Sequence, residues 1–322
     1  MGCLFALFAG VFPRLAVFIL WVARPERVDA AIHGITDAAA SANATLGRPR
    51  VEPATADALE RVHPAPYLAL LDDVAGQGGG WIDADTFIGP ESMIAARLAA
   101  GATIQASLAV AGGEADVAFA VVRPPGHHAR RERAAGFCLL NNVAVAALAL
   151  RASGGAQRIA ILDWDVHHGD GTQSIFDADQ DLLYASTHQM PLYPGSGAAA
   201  ERGVGPGLGS KHNVPLQRGS GDDAFTHAWL TQLLPAVEAF APEAILVSAG
   251  YDAHRLDPLA ELKVTEAGYQ SVAEAIGRLA RASGLGGVAL TLEGGYDLDA
   301  LRGSAAATVV GLLAGLSGSE AG

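Results

Sequence analysis

Four apolar runs in this chain each stop at a cluster of polar, ionisable residues, and this repetition constrains the fold more than any other feature. Residues 118–122 (AFAVV) run into Arg123, two prolines, Gly126, His127 and His128. Residues 158–162 (RIAIL) run into Asp163, Asp165, His167, His168 and Asp170. Residues 244–250 (AILVSAG) run into Tyr251, Asp252 and His254. Residues 287–292 (GVALTL) run into Glu293, two glycines, Tyr296 and Asp297. Short Val/Ile/Ala/Leu runs separated by helical stretches read as parallel strands buried on both faces. In an open α/β sheet, ligands bind beyond the carboxyl ends of the strands. The four clusters are therefore expected to converge on one site.

Helical patterns are expected over roughly 91–111, 139–152, 222–240, 265–283 and 298–315, with Thr265 as an N-cap. Their alternation with strands predicts an α/β fold: one domain with a doubly wound, mostly parallel sheet and helices on both faces. With 322 residues, half of them hydrophobic, the chain can bury a large single core. We read 24–316 as that catalytic domain and 317–322 as a frayed tail. Residues 1–23 are almost wholly apolar, broken by Pro13 and Arg14. They read as an apolar segment whose leading interpretation is a buried first strand or strand-like segment, ahead of a poorly ordered or misassigned start and of a membrane or export segment.

The formal net charge of -13 argues against nucleic-acid binding, which needs a basic face, but it is compatible with a cationic substrate. The only cysteines, Cys3 and Cys138, imply no disulfide framework and no thiolate metal site. A reducing, cytoplasmic setting without membrane attachment is the expectation. A homo-oligomer is left open.

Asp165 and His167 stand at i and i+2, which on an extended strand points both side chains to one side. A carboxylate and an imidazole so placed can share a divalent cation, with a third ligand from Asp252. Three protein ligands leave coordination positions open for chemistry. The plainer alternative is a strand-end turn, but three Asp and two His within eight residues make that a poor description. His127 and His128, on a loop stiffened by prolines, suit proton transfer, although a metal-ligand pair or an exposed pair has the same pattern. Asp163 and Asp170 can each orient one of these histidines; the competing reading of Asp170 is a turn with Gly171. Tyr296 can donate to a developing oxyanion, or be an ordinary rim residue. Gly136, Phe137 and Tyr193 lie on loops close in sequence to these clusters.

Taken together, RPPGHHA, GFCLLNN, DWDVHHGDGT, STHQMPLYPGSG, SAGYDAHRLDPLAELKVT and LEGGYDL resemble the histone deacetylase and acetylpolyamine amidohydrolase superfamily, in the family's order over roughly 53–315. The wording is closer to class II and bacterial members than to class I. The resemblance implies a mononuclear zinc amidohydrolase with Asp165, His167 and Asp252 as ligands. It further implies His128 as general base and then acid, His127 as its electrostatic partner, and Asp170 and Asp163 as their respective hydrogen-bond partners. Tyr296 would polarise the scissile carbonyl. Phe137 and Tyr193 would wall a slot for an aliphatic acylated chain, with Gly136 nearby; Tyr193 departs from the phenylalanine common there. A structural potassium ion is implied at Asp163, Asp165, His167, Ser186 and Thr187. Leu259, seven residues after Asp252, would border the channel mouth, where polyamine-selective relatives carry a glutamate. Of the family's opening Pro-Glu-Arg repeat, only Arg24, Pro25, Glu26 and Arg27 survive.

The leading expectation is a deacetylase acting on an acylated lysine side chain or a related amide. The runner-up is hydrolysis of acetylated polyamines or another small amide. A binuclear, arginase-type hydrolase would need more carboxylates than are present. A non-enzymatic binding module is opposed by the intact set of His127, His128, Asp165, His167, Asp252 and Tyr296.

Overall fold

The computed structural model describes residues 24–318. The first strand expected within 1–23 lies outside them. The centre is a six-stranded sheet in the order β3-β8-β7-β4-β5-β6, with every pairing parallel. The strands are β3 (Val117–Ala120), β4 (Ile159–Asp163), β5 (Leu182–Gln189), β6 (Lys211–Leu216), β7 (Ala244–Ala249) and β8 (Val288–Leu292). A small antiparallel pair, β1 (Gly80–Trp81) and β2 (Phe87–Ile88), stands apart.

The strand period of two explains the continuous apolar runs. Along β4, Ala160 and Leu162 face one core, while Ile159 and Ile161 face the other. Along β7, Ile245, Val247 and Ala249 take the first side and Leu246 the second. The first side is covered by α1 (Glu26–Ser41), α7 (Asp222–Ala228), α8 (Leu234–Phe240), α9 (Glu266–Ala282) and α10 (Leu298–Ser317). The second is covered by α2 (Ala56–Glu60), α3 (Ala65–Gly76), α4 (Ser92–Ala111) and α5 (Asn142–Ala152). Truncating a wholly buried strand residue such as Ile161 to alanine would cost about 2–5 kcal/mol. The helices α4 and α10 are long and apolar enough to cross a membrane by composition, but about half of each apolar stretch is buried inside the fold.

Several boundaries differ from those expected. The 222–240 stretch is helical throughout, but Trp229–Leu233 forms a π-helical turn between α7 and α8. Pro235 has no N–H to continue the regular ladder, and the wider turn absorbs the break. The last helix runs to Ser317 rather than 315, and Gly318 closes it at φ 74, so the tail does not begin at 317. Asp170 does not form an isolated turn with Gly171; it opens a short helix, α6 (Asp170–Phe176). Thr265 caps α9 as expected, its hydroxyl accepting from Ala267 N.

The topology positions the site. From β4 the chain moves outward through β5 and β6, then returns to the other side of β4 with β7 and β8. Strands β4 and β7 are therefore neighbours at the reversal point, where an open α/β sheet binds its ligand. Asp165 follows the first of these strands and Asp252 the second.

Candidate active site

The four polar clusters do converge. A cavity of about 230 Å³ is lined by residues from three of them, including His127, His128, Asp165, His167 and Tyr296, and the fourth reaches it through Asp252, which contacts His167. Gly136, Phe137, Tyr193 and Leu259 also stand in its wall. Asp252 is buried just behind.

Asp165, His167 and Asp252 place one ligand atom each within 4.8 Å of one another. His167 Nδ1 lies 3.2 Å from Asp165 Oδ1 and 3.1 Å from Asp252 Oδ2. Their free oxygens are held in advance. Gly294 N donates to Asp165 Oδ2 at 2.7 Å, and Val166 N to Asp252 Oδ1 at 2.8 Å. Gly294 has to be glycine here, since a Cβ would sit 2.0 Å from Asp252 Oδ2. Burial, then the charge of Asp165, pushes the Asp252 carboxyl up. For Asp165, burial acts upward too, but His127 and His167 outweigh it and hold that carboxyl below the usual range. Burial pulls His167 down, yet its two carboxylate bonds prevail and raise it to about 10. Two buried carboxylates thus demand positive charge between them. Two oxygen ligands and one imidazole fit a divalent ion such as zinc or iron(II). Among the described residues, this is the single group of three His, Cys, Asp or Glu side chains with such spacing.

The tandem histidines are driven apart electrostatically. His127 Nδ1 lies 3.1 Å from Asp163 Oδ2, and Tyr184 donates its hydroxyl to that same oxygen at 2.9 Å. Burial would lower His127, but Asp165, Asp163 and Glu293 together raise it well above its ordinary value. His128 is pulled down to about 3 by burial and by the neighbouring His127 charge. The two rings are thereby pushed in opposite directions, the separation that a base with an electrostatic partner needs. His128 Nδ1 lies 2.8 Å from Asp170 Oδ1, and Arg130 holds the other oxygen of Asp170 at 2.8–2.9 Å.

Tyr296 carries a neutral phenol. Burial, with the charges of Asp252 and Asp165, pushes it well up, against a smaller opposing effect of Arg27. The Arg27 guanidinium lies 4.7 Å from the Tyr296 ring centroid. Phe137 meets the same ring edge-on at 6.2 Å, and Tyr193 stands edge-on to His128 at 5.1 Å. Phe137 has φ 66 and Gly136 φ 55, a backbone pair that favours glycine. A Cβ on Gly136 would also come within 2.4 Å of the His128 ring.

Ser186 lies beside Asp163 in the β4–β5 register, and Thr187 follows it. The Ser186 hydroxyl contacts His188 Nδ1 at 3.0 Å, and the Thr187 hydroxyl accepts from Trp229 Nε1 at 3.0 Å.

Four contributors escaped the sequence reading as site residues. Arg27, fully buried, donates to Glu293 O at 2.5 Å and to Gly295 O. Glu293 accepts from Gly126 N at 2.6 Å, His127 N at 3.2 Å and Ser248 Oγ at 3.0 Å, and burial pushes it up to about 7. Asp257 accepts from Leu259 N and Tyr296 N; burial and the Asp252 charge push it up to about 8. Asp85 lines the cavity and accepts from Gly136 N at 3.2 Å. The signal for Glu293 was its place at the end of a strand run. Asp85, in a short acidic turn, had none.

A family model described as the histone deacetylase domain matches residues 22–312. A probable deacetylase of Archaeoglobus fulgidus is 43% identical over 262 residues, covering 81% of this chain and 71% of that protein. A histone deacetylase-like amidohydrolase of Pseudomonas aeruginosa is 42% identical over 246 residues, covering 76% of this chain and 65% of that protein. Among solved structures, the HD domain of HDA15 superposes with a TM-score of 0.82 at 39% identity, covering 90% of this chain and 84% of that one. An acetylpolyamine aminohydrolase from Burkholderia pseudomallei gives 0.81 at 32% identity, covering 90% and 92%. The motifs at the strand ends and these matches agree, and the chain belongs to the histone deacetylase family.

Proposed function

We propose that this protein is a zinc-dependent deacylase that hydrolyses the amide of an acylated lysine side chain or a related acylated amine, releasing acetate and the free amine. The observation that carries the reading is one cavity lined by Asp165, His167, the neutral His128 and the phenol of Tyr296, with Asp252 completing the triad just behind it. Asp165, His167 and Asp252 would hold one zinc ion. Bound there, zinc supplies Lewis acidity that polarises a carbonyl and acidifies water.

The remaining work falls to this chain's own groups. His128, holding its Nδ1 proton towards Asp170, offers Nε2 to accept the proton of the attacking water. Burial and the adjoining His127 keep His128 from being protonated beforehand. Tyr296 donates its hydroxyl to the substrate oxygen as negative charge gathers there. His128 then returns its proton to the leaving nitrogen. Phe137 and Tyr193 wall the slot for an aliphatic stem and exclude water from it. Asp163, Asp165, His167, Ser186 and Thr187 would hold a structural potassium ion beside the zinc loop.

A second reading, hydrolysis of acetylated polyamines, is favoured by the likeness to the Burkholderia structure. Leu259 in the cavity wall weighs against it, because an apolar side chain there offers nothing to a secondary ammonium. The deciding experiment is a panel of acyl-lysine peptides, acetylpolyamines and simple amides assayed with zinc-reconstituted protein. Acetyl-lysine peptides are expected to be turned over best. A wide preference for acetylspermidine would make the second reading the leading one, and no hydrolysis across the panel would overturn both.

A further inference from the structure

Tyr296 sits at the end of a Gly294–Gly295 pair, with Gly295 at φ 115. Two successive glycines give the backbone before Tyr296 no side chains to anchor it. What fixes that backbone is a set of hydrogen bonds. Tyr251 N donates to Gly294 O at 3.0 Å, Arg27 Nε donates to Gly295 O, and Tyr296 N donates to Asp257 Oδ2 at 2.8 Å. The other oxygen of the same carboxylate, Asp257 Oδ1, accepts from Leu259 N at 2.9 Å. That second bond is a local turn contact, as aspartate makes two residues ahead. The first crosses between loops 39 residues apart in sequence. Both recipients, Leu259 and Tyr296, line the cavity, while Asp257 is buried and does not.

We infer that Asp257 is a positioning residue, a carboxyl clamp that sets the phenol of Tyr296 and the channel wall at Leu259 in one fixed relation. The inference rests on the oxyanion role proposed for Tyr296. The two acceptor oxygens of Asp257 are each filled by one backbone N–H, so the isosteric asparagine cannot accept both. Asparagine keeps one acceptor and turns an NH2 towards the other donor, which leaves a buried N–H without a partner. The Tyr296 backbone then loses its anchor, and the phenol no longer sits where charge develops. Positioning errors of about 1 Å are enough to slow turnover strongly.

The test is a double-mutant cycle of Asp257→Asn and Tyr296→Phe, each protein loaded with zinc and its metal content measured. Asp257→Asn alone is expected to lower kcat about tenfold or more, with zinc content kept and KM for a small acetylated substrate little changed. In the Tyr296→Phe background the same substitution should cost less than about twofold, because the phenol it positions is gone. Backbone deuterium exchange should rise in peptides covering 294–296 and 257–259 and stay unchanged in β4 and β5. Equal losses in both backgrounds, unchanged kcat, or a loss that follows zinc content would each overturn the assignment. If Asp257→Asn does not fold, Asp257→Glu serves in the same cycle. It keeps the carboxyl group and both acceptor oxygens on a stem one methylene longer, and the same non-additivity is required of it. Failure of the Tyr296 role is seen separately: Tyr296→Phe alone would keep full turnover.

Discussion

The carboxylate of Asp170 lies 2.8 Å from Nδ1 of His128, and this contact decides which nitrogen of the ring can meet substrate. Burial acts against the charge of Asp170, but His128 and Arg130 keep its carboxyl below the usual range, so it only accepts. The ring proton therefore sits on Nδ1, and Nε2 carries the lone pair.

Asp170→Asn should break that assignment. Arg130 would keep the amide oxygen, turning the NH2 towards His128 Nδ1 and favouring the wrong tautomer. Turnover is expected to fall by about 10²–10⁴, as for other misassigned catalytic imidazoles. Steady-state kinetics at unchanged zinc content measures it; a fall under threefold would show that Asp170 does not set the tautomer.

Glu293 holds the histidine loop from beneath, through the amides of Gly126 and His127. Glutamine can keep both bonds with its oxygen and donate to Ser248. Alanine leaves two buried amides without an acceptor, at about 1–3 kcal/mol each. Thermal or urea unfolding should therefore rank Glu293→Gln close to wild type and Glu293→Ala well below it. Equal stability of the two variants would show that the loop does not depend on these bonds.

Much of this site was legible because its residues follow apolar strand runs. β4, β7 and β8 announce themselves by Ile, Val and Leu, and what comes next in sequence is at the sheet's carboxyl edge in space. β5 did not announce itself: its eight residues are all buried, but Ser186, Thr187, His188 and Gln189 hide the pattern. β6 carries Pro215, which suits an edge strand and argues against a central one. Helix α1 buries Ala30, Ala31, Gly34 and Ala38, a stripe too small in contrast to stand out from its surroundings. Asp257 and Arg27 act across long sequence separations on backbone atoms, and no local pattern encodes such contacts.

Acid stability should depend on His63, away from the cavity. Its Nδ1 contacts Arg131 O at 3.0 Å, and its Nε2 accepts from Asn141 N at 2.9 Å, so the buried ring must be neutral. Burial lowers it to about 4, against 6.5 ordinarily. The unfolded chain then takes up a proton first as pH falls. The stabilisation is complete above about pH 6.5 and is lost towards pH 4, by about 1.4 kcal/mol per unit or roughly 3 kcal/mol in all. His63→Gln, which can offer the same donor and acceptor, should flatten the profile between pH 6.5 and 4. Urea unfolding across that range checks this, and an unchanged slope would contradict it.

Leu259→Glu should shift the substrate range. A carboxylate in the partly dry channel would attract a mid-chain ammonium by about 1–4 kcal/mol. The ratio of acetylpolyamine to acetyl-lysine activity should rise about tenfold or more. An unchanged ratio would remove Leu259 from the specificity wall.

Asp165, His167 and Asp252 are proposed to hold the one divalent ion on which amide hydrolysis by this chain depends. The most direct test of this dependence is acetate release from an acetyl-lysine peptide as chelated protein is titrated with zinc. Release should be negligible before addition, rise linearly and saturate at one zinc per chain, with no recovery in Asp252→Ala. Saturation at two ions per chain, or full activity in the chelated protein, would contradict it.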